Sequence, residues 1–243
     1  DIDKDKGEEF LDRICSTKIE QVIEDGYEKL AADLGTYRNA MVMKREKITN
    51  RAIFVAKKRY ILNTLNSEGV HYDTPKVSVT GLESVRSSTP EICRDKLKQC
   101  FEIIMNTDEE TTQGFIKDFK ELFRTLDPIA IAKTSGVSEL KKYQEKGSIY
   151  RKGTPMHVRG SLMYNHFLKE KGLDKKFETI QGGDKVKLLY LKVPNPIREN
   201  AISVPGLLPK QLGLHDYVDT ELQFDKVFLS PIQSILDAVG WSA

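Results

Sequence analysis

Apolar residues recur at helical spacing from residue 8 to 34, with Phe10, Ile14, Ile19, Val22, Ile23, Tyr27, Leu30 and Leu34 on one stripe and acidic residues opposite. Gly35 stands where a helix C-terminus favours glycine, so the pattern predicts one long amphipathic helix. "NAMVMKREKI" (39–48) reads as strand-like. "AIFVAKKRYILN" (52–63) reads as a strand carrying three consecutive cations, and "NSEG" (66–69) as a turn. "HYDTPKVSVTG" (71–81) reads as a further strand. The first 80 or so residues therefore predict a helix followed by a small antiparallel sheet.

The pattern changes at "GLESVRSSTP". Thr89 before Pro90 predicts an N-cap with proline in the first turn, and Glu91 suits the positive end of the helix that follows. That helix would bury Cys93, Leu97, Cys100 and Ile104. Thr107 and Glu110 form a candidate capping box for a second helix, with Phe115, Phe119, Leu122, Phe123 and Leu126 inward. The short connection favours an antiparallel pair. Residues 133 to 160 read as irregular, and "GSLMYNHFLKEKG" (160–172) as a short helix stopped by Gly172. "DKVKLLYLKV" (184–193) and "AISVP" (201–205) read as strands, and the tail as helix. The fold class expected is α+β, a small sheet with a long helix and then a mainly helical region with a minor β element. The boundary falls near Gly81, giving domains 1–81 and 82–243.

Composition narrows the possibilities. The chain has 243 residues, 39% hydrophobic and 30% charged, with a formal net charge of only +2, so global charge does not announce a polyanion binder. Charge is unevenly distributed, however. Residues 1–30 carry ten acidic and five basic side chains, residues 31–63 two and eight, and residues 133–171 three and nine. Two basic blocks thus predict concentrated positive faces. Cys15, Cys93 and Cys100 are odd in number and fit no zinc spacing, which makes a reducing compartment the expectation. No run approaches the roughly 18 apolar residues of a membrane span, and no signal peptide is visible. His71, His157, His166 and His215 have no partner at metal-ligand spacing, and no Walker loop, GxGxxG or Ser/His/Asp order occurs. These features argue against a self-contained enzyme. The first residue is Asp1 rather than Met, so a piece of a longer protein is expected.

Strand alternation would place Lys58 and Tyr60 on one face and Lys57 and Arg59 on the other. A ligand lying across that face would meet a cation beside an aromatic hydroxyl. A solvated edge strand, its lysines discouraging strand addition, accounts equally well for the pattern.

"KKRY" after a strand, then "GLESVRSSTP", then "GTPMHVRGSLMYNHFLKEKGL" (153–173) and "DKVFLSPIQSILDAVGW" together resemble the family B DNA polymerases, T-even-type phage branch. The likeness runs in order from about Glu9 to Trp241. It implies that residues 1–81 are the C-terminal part of the polymerase palm and residues 82–243 the thumb. By the same resemblance Lys58 and Tyr60 face the minor groove of the primer-template duplex. A donor there meets purine N3 and pyrimidine O2 acceptors in every pair, and so can sense geometry without reading sequence. Lys57 and Arg59 would make phosphate or structural contacts.

Arg86, Ser87 and Ser88 would approach duplex phosphates. Lys141, Lys142, Arg151, Lys152, His157 and Arg159 would form a backbone-gripping surface. Glu46 matches an auxiliary acid near the metal site; a strand glutamate paired with Lys57 or Arg59 explains it equally. The implied partners are primer-template duplex DNA, the remainder of the polymerase and a sliding clamp, with no membrane. The implied setting is the cytoplasm of an infected bacterial host. No clamp-binding peptide follows Trp241, so a trimmed or divergent tail is expected.

The intact family works with Mg²⁺ held by aspartates, one of them in an Asp-Thr-Asp motif that this sequence does not contain. "DIDKDKG" is interrupted by lysines and reads as a loop. The expected role is therefore to hold the duplex, as part of a longer polymerase or as the small subunit of a split one, with no catalytic residue of its own. An autonomous nucleic-acid-binding protein, or an enzyme using Asp1, Asp3 and Glu46 as a metal site, are the alternatives.

Overall fold

A computed structural model describes residues 6–82 and 86–243 of the chain. Asp1 and Asp3, with the rest of "DIDKD", and residues 83–85 of "GLESVRSSTP" lie outside the described residues. Two compact units emerge from the chain's contacts, Asp1–Thr80 and Gly81–Ala243, and both combine helices with an antiparallel sheet.

In the first unit α1 (Gly7–Ile14) and α2 (Glu20–Asp33) are joined by a π-turn, Cys15–Ile19. The hydroxyls of Ser16 and Thr17 reach back to the carbonyls of Asp12 and Arg13 at 2.9 and 2.6 Å, competing with the regular ladder where it widens. The predicted helix is thus present with a bulge. It ends as Gly35 suggested. Gly35 has φ +62°, its N–H bonds the Ala32 carbonyl, and the Thr36 N–H bonds that of Ala31, both at 3.0 Å. Burial departs from expectation. Ala31 is the buried residue of α2, while Val22 and Leu34 of the apolar stripe are 71% and 68% exposed.

Three strands follow as a meander, β1 (Lys47–Ala56), β2 (Arg59–Ser67) and β3 (Val70–Thr80), in the order β1-β2-β3. Residues 39–46 form no strand, contrary to the reading of "NAMVMKREKI". Ile48, Ile53 and Ile61 supply the buried apolar positions of this sheet. The second turn is the predicted one. Glu68 and Gly69 both have positive φ, the conformation that matches a two-residue loop to the twist of its strands.

In the second unit α3 (Glu91–Asn106) and α4 (Glu109–Arg124) pack against each other. Cys93, Leu97, Cys100 and Ile104 are buried as expected. The caps shift by a residue. Pro90, not Thr89, occupies the cap position of α3, and Asp108 caps α4 by accepting the Thr111 N–H at 2.9 Å. Thr107 instead closes α3, its hydroxyl donating to the Ile103 carbonyl. On α4 the inward residues are Thr112, Ile116, Phe119 and Phe123, whereas Leu122 faces solvent.

The segment expected to be irregular contains β4 (Lys133–Gly136), which pairs with β5 (Lys185–Tyr190), itself paired with β6 (Ala201–Val204). Beneath this sheet lies α5 (Met156–Glu170), one turn longer at its start than predicted. A Cβ at Gly160 would stand 2.7 Å from the Ser203 nitrogen, so only glycine lets α5 approach β6 this closely.

The tail forms α6 (Thr220–Phe224), a π-turn Asp225–Leu229 and α7 (Ser230–Val239). Pro231 lacks the N–H that would continue the regular ladder, which accounts for the wider turn before it. Phe119, Phe123, Phe224 and Phe228 interlock with ring centroids 4.7 to 5.9 Å apart. Buried Gln223 fastens the tail to the sheet. It accepts the Tyr190 N–H at 3.1 Å and donates to the Ile131 carbonyl at 3.0 Å.

Candidate nucleic-acid interface

The three cations of "KKRY" do not lie within one strand. Lys57 and Lys58 form the turn between β1 and β2, with Ala56 opposite Arg59 and Phe54 opposite Tyr60. Lys58 has φ +59°, so pleat alternation does not set its direction, and the shared face inferred for Lys58 and Tyr60 is corrected. Neither Lys57 nor Lys58 is a usual turn residue, which hid the hairpin from the sequence. The tip instead pairs two exposed lysines with two rings. Phe54 and Tyr60 lie 5.6 Å apart, and Phe54 is 69% exposed. Phe54 was missed because a strand aromatic reads as core, and its exposure follows only from the hairpin.

Glu46 sits at the other end of β1, about 30 Å of strand away from the turn. It pairs with Lys47, at 3.6 Å, and the length of β1 separates it from Lys57 and Arg59. It lines a cleft with Asp12, Glu20, Glu68, Lys44 and Arg45, in which Arg45 pairs with Asp12. Among the described residues no three His, Cys, Asp or Glu side chains are grouped to hold a metal ion.

In the second unit Arg86 and Ser87 are exposed and Ser88 is half-buried. The Ser88 carbonyl accepts the Thr134 N–H at 2.9 Å, which ties this loop to β4. A cleft of about 180 Å³ results, lined by Arg86, Ser88, Thr89, Lys133, Lys226 and Ser230 among others. Three cations from three distant segments meet here because β4 pairs with β5 while Gln223 holds α6 against β5. Lys226 also lies 3.0 Å from Asp225, whose carboxylate raises the ammonium pKa. Sequence reading missed Lys133 and Lys226, since nothing local marks them.

The remaining predicted cations fall into two kinds. Lys141 and Lys142 lie exposed on a 3₁₀ turn, Leu140–Tyr143, and Lys142 pairs with Glu139 at 3.1 Å. The Arg151 guanidinium lies 5.2 Å from the Tyr143 ring, and Lys152 is exposed beside it. These groups can meet a phosphate from solvent. His157 differs: it is half-buried, and burial lowers its pKa and so disfavours the charged imidazolium. Its carbonyl accepts the hydroxyls of Ser161 and Ser203 at 2.7 and 2.8 Å, a structural junction between α5 and β6. Arg159 pairs with Glu199, at 3.4 Å, and donates to Asn200, while its side chain stays 23% exposed.

No family model matches the chain. It is 29% identical to the DNA-directed DNA polymerase of Enterobacteria phage T4 over 96% of its own length. It is 30% identical to that of Escherichia phage RB69 over 95% of its length. The chain spans about a quarter of these relatives, 27% and 26% respectively. By sequence the chain is thus similar, over nearly its whole length, to one quarter of two phage DNA-directed DNA polymerases of the family B, T-even type.

Proposed function

We propose that this chain is the duplex-holding part of a phage DNA polymerase, comprising the C-terminal segment of the palm (1–81) and the thumb (82–243). The polymerase as a whole would carry out template-directed nucleotidyl transfer in the cytoplasm of an infected bacterium. The observation that carries this reading is the gathering of Arg86, Lys133 and Lys226 on one cleft, in a chain collinear with two phage polymerases. A cluster of this kind suits a phosphate backbone, because cations that neutralise phosphates release condensed counterions whatever the base sequence. Lys57 and Lys58 at the hairpin tip, with Tyr60 and Phe54 beside them, add donors suited to the acceptors that line the minor groove.

Catalysis belongs to the rest of the polymerase. Mg²⁺, which the family implies, finds no fitting donor set among the described residues, and the sequence has no Asp-Thr-Asp. No bond-making step is therefore assigned to these side chains. The remainder of the polymerase is the expected partner, joined covalently or as a separate chain, and a sliding clamp is a further expected partner of the assembled protein.

Fluorescence anisotropy of the chain with primer-template duplex, single-stranded DNA and an unrelated RNA hairpin tests the proposal. Preference for the duplex, little sequence dependence and a steep loss of affinity with salt are expected. Equal affinity for the RNA hairpin would overturn it.

A further inference from the structure

Arg159 does not stand alone at the start of α5. Its guanidinium lies 5.7 Å from the Tyr150 ring and 3.4 Å from Glu199, and it donates to the Asn200 side chain. The Tyr150 hydroxyl donates to the same Glu199 carboxylate. Both ionic partners are largely enclosed, with side-chain exposures of 23% for Arg159 and 13% for Glu199.

The loop that presents Glu199 is itself organised from within. Buried Asn195 donates to the carbonyls of Lys192 and Glu199 at 2.7 and 2.6 Å, and its oxygen accepts the Ile197 N–H at 3.1 Å. Asn195 therefore sets the backbone, the backbone sets Glu199, and Glu199 grips Arg159 from one side while Tyr150 covers its face. So many restraints on one guanidinium exceed what an ordinary surface arginine receives, since a solvated arginine gains little from an ion pair.

Resting on the duplex-holding reading above, we infer that Glu199 and Tyr150 are positioning residues that orient Arg159 toward a backbone phosphate. The carboxylate is itself repelled by DNA, so its place beside the arginine is useful only if orientation outweighs the lost attraction. A guanidinium fixed before binding also loses less side-chain freedom when a phosphate arrives.

The sign of one substitution decides the matter. Glu199→Gln removes a negative charge near the polyanion, and simple electrostatics predicts tighter binding. Positioning predicts binding weaker by about tenfold, the loss of one charge-assisted hydrogen bond. Tyr150→Phe, which keeps the ring and removes the donor, should weaken binding in the same direction. In both variants the slope of log affinity against log salt should remain that of the wild type, because no cation is lost. Arg159→Met should lower that slope by about 0.9, and Glu199→Gln added to it should cost nothing further.

Anisotropy titrations with primer-template duplex across a salt series, beside urea unfolding of each variant, supply these readings. Unchanged or tighter binding by both Glu199→Gln and Tyr150→Phe, or additive losses in the Arg159→Met background, would overturn the inference while leaving the duplex reading intact. Duplex binding by the wild type that is absent or indifferent to salt would overturn both.

Discussion

Phe54 and Tyr60 face each other across the β1–β2 hairpin with ring centroids 5.6 Å apart, and the turn that closes them is Lys57–Lys58. The left-handed φ of +59° at Lys58 costs a side-chain-bearing residue about 1 kcal/mol. Lys58→Gly relieves that cost and should make the first unit as stable or more stable by up to about 1 kcal/mol in urea unfolding. Lys58→Val, β-branched, should destabilise it. If glycine there lowers stability, the turn geometry is wrong.

Because any substitution of Lys58 also deletes a cation, stability and function can be read separately. In the assembled polymerase Lys58→Ala is expected to reduce primer extension more than duplex affinity, since one minor-groove contact adds little to a grip dominated by phosphates. An affinity loss as large as that from removing several cations of the second unit together would contradict the assignment.

Arg86, Lys133 and Lys226 share one cleft, so each substitution to alanine should lower the salt slope by about 0.9 if each meets a phosphate. His157→Gln should change the slope far less at pH 7, because burial lowers that imidazole's pKa and disfavours its charged form. Titration across a salt series reads both outcomes.

Two glycines give opposite expectations. Gly160→Ala forces a methyl group to within 2.7 Å of the Ser203 nitrogen and should destabilise the second unit by about 1–3 kcal/mol. Gly114→Ala, inside α4 with no atom within 4 Å of the new carbon, should stabilise it by about 0.5–1 kcal/mol. Urea midpoints measure the contrast.

His71 and Glu8 join the β2–β3 hairpin to α1 at 2.8 Å, and Glu8 also accepts from Asn66 at 3.0 Å. The hydrogen bond to Glu8, with its charge, raises the His71 pKa above the ordinary 6.5. Protonated His71 thus contributes stability in full below about pH 6.5, and this contribution fades as pH rises through the higher folded value. His71→Gln should flatten the pH dependence of the first unit's stability between pH 6 and 8 (roughly the imidazole range). A dependence unchanged by the substitution would show that another group titrates there.

The sequence by itself determined the α+β class, the long first helix with its Gly35 cap, the buried face of α3 and the Glu68–Gly69 turn. Each of these depends on neighbours within a few residues, where periodicity, a glycine at positive φ or a turn dipeptide is directly legible. Its order of motifs also carried the polymerase resemblance. The Lys57–Lys58 turn stayed hidden because its strained residue is a lysine, so the usual glycine or asparagine signal is missing. Strand β4 stayed hidden because it is four residues long and exists only by pairing with β5, some fifty positions later. Which cations are near one another was decided by tertiary structure alone. Lys226 comes beside Lys133 through Gln223 and the β4–β5 pairing, while Arg159 is bound to Glu199 through a loop organised by Asn195. Local propensity has a range of about one helical turn, whereas a charge cluster is assembled by long-range packing, and so the sequence predicted positive faces without being able to say which side chains would meet.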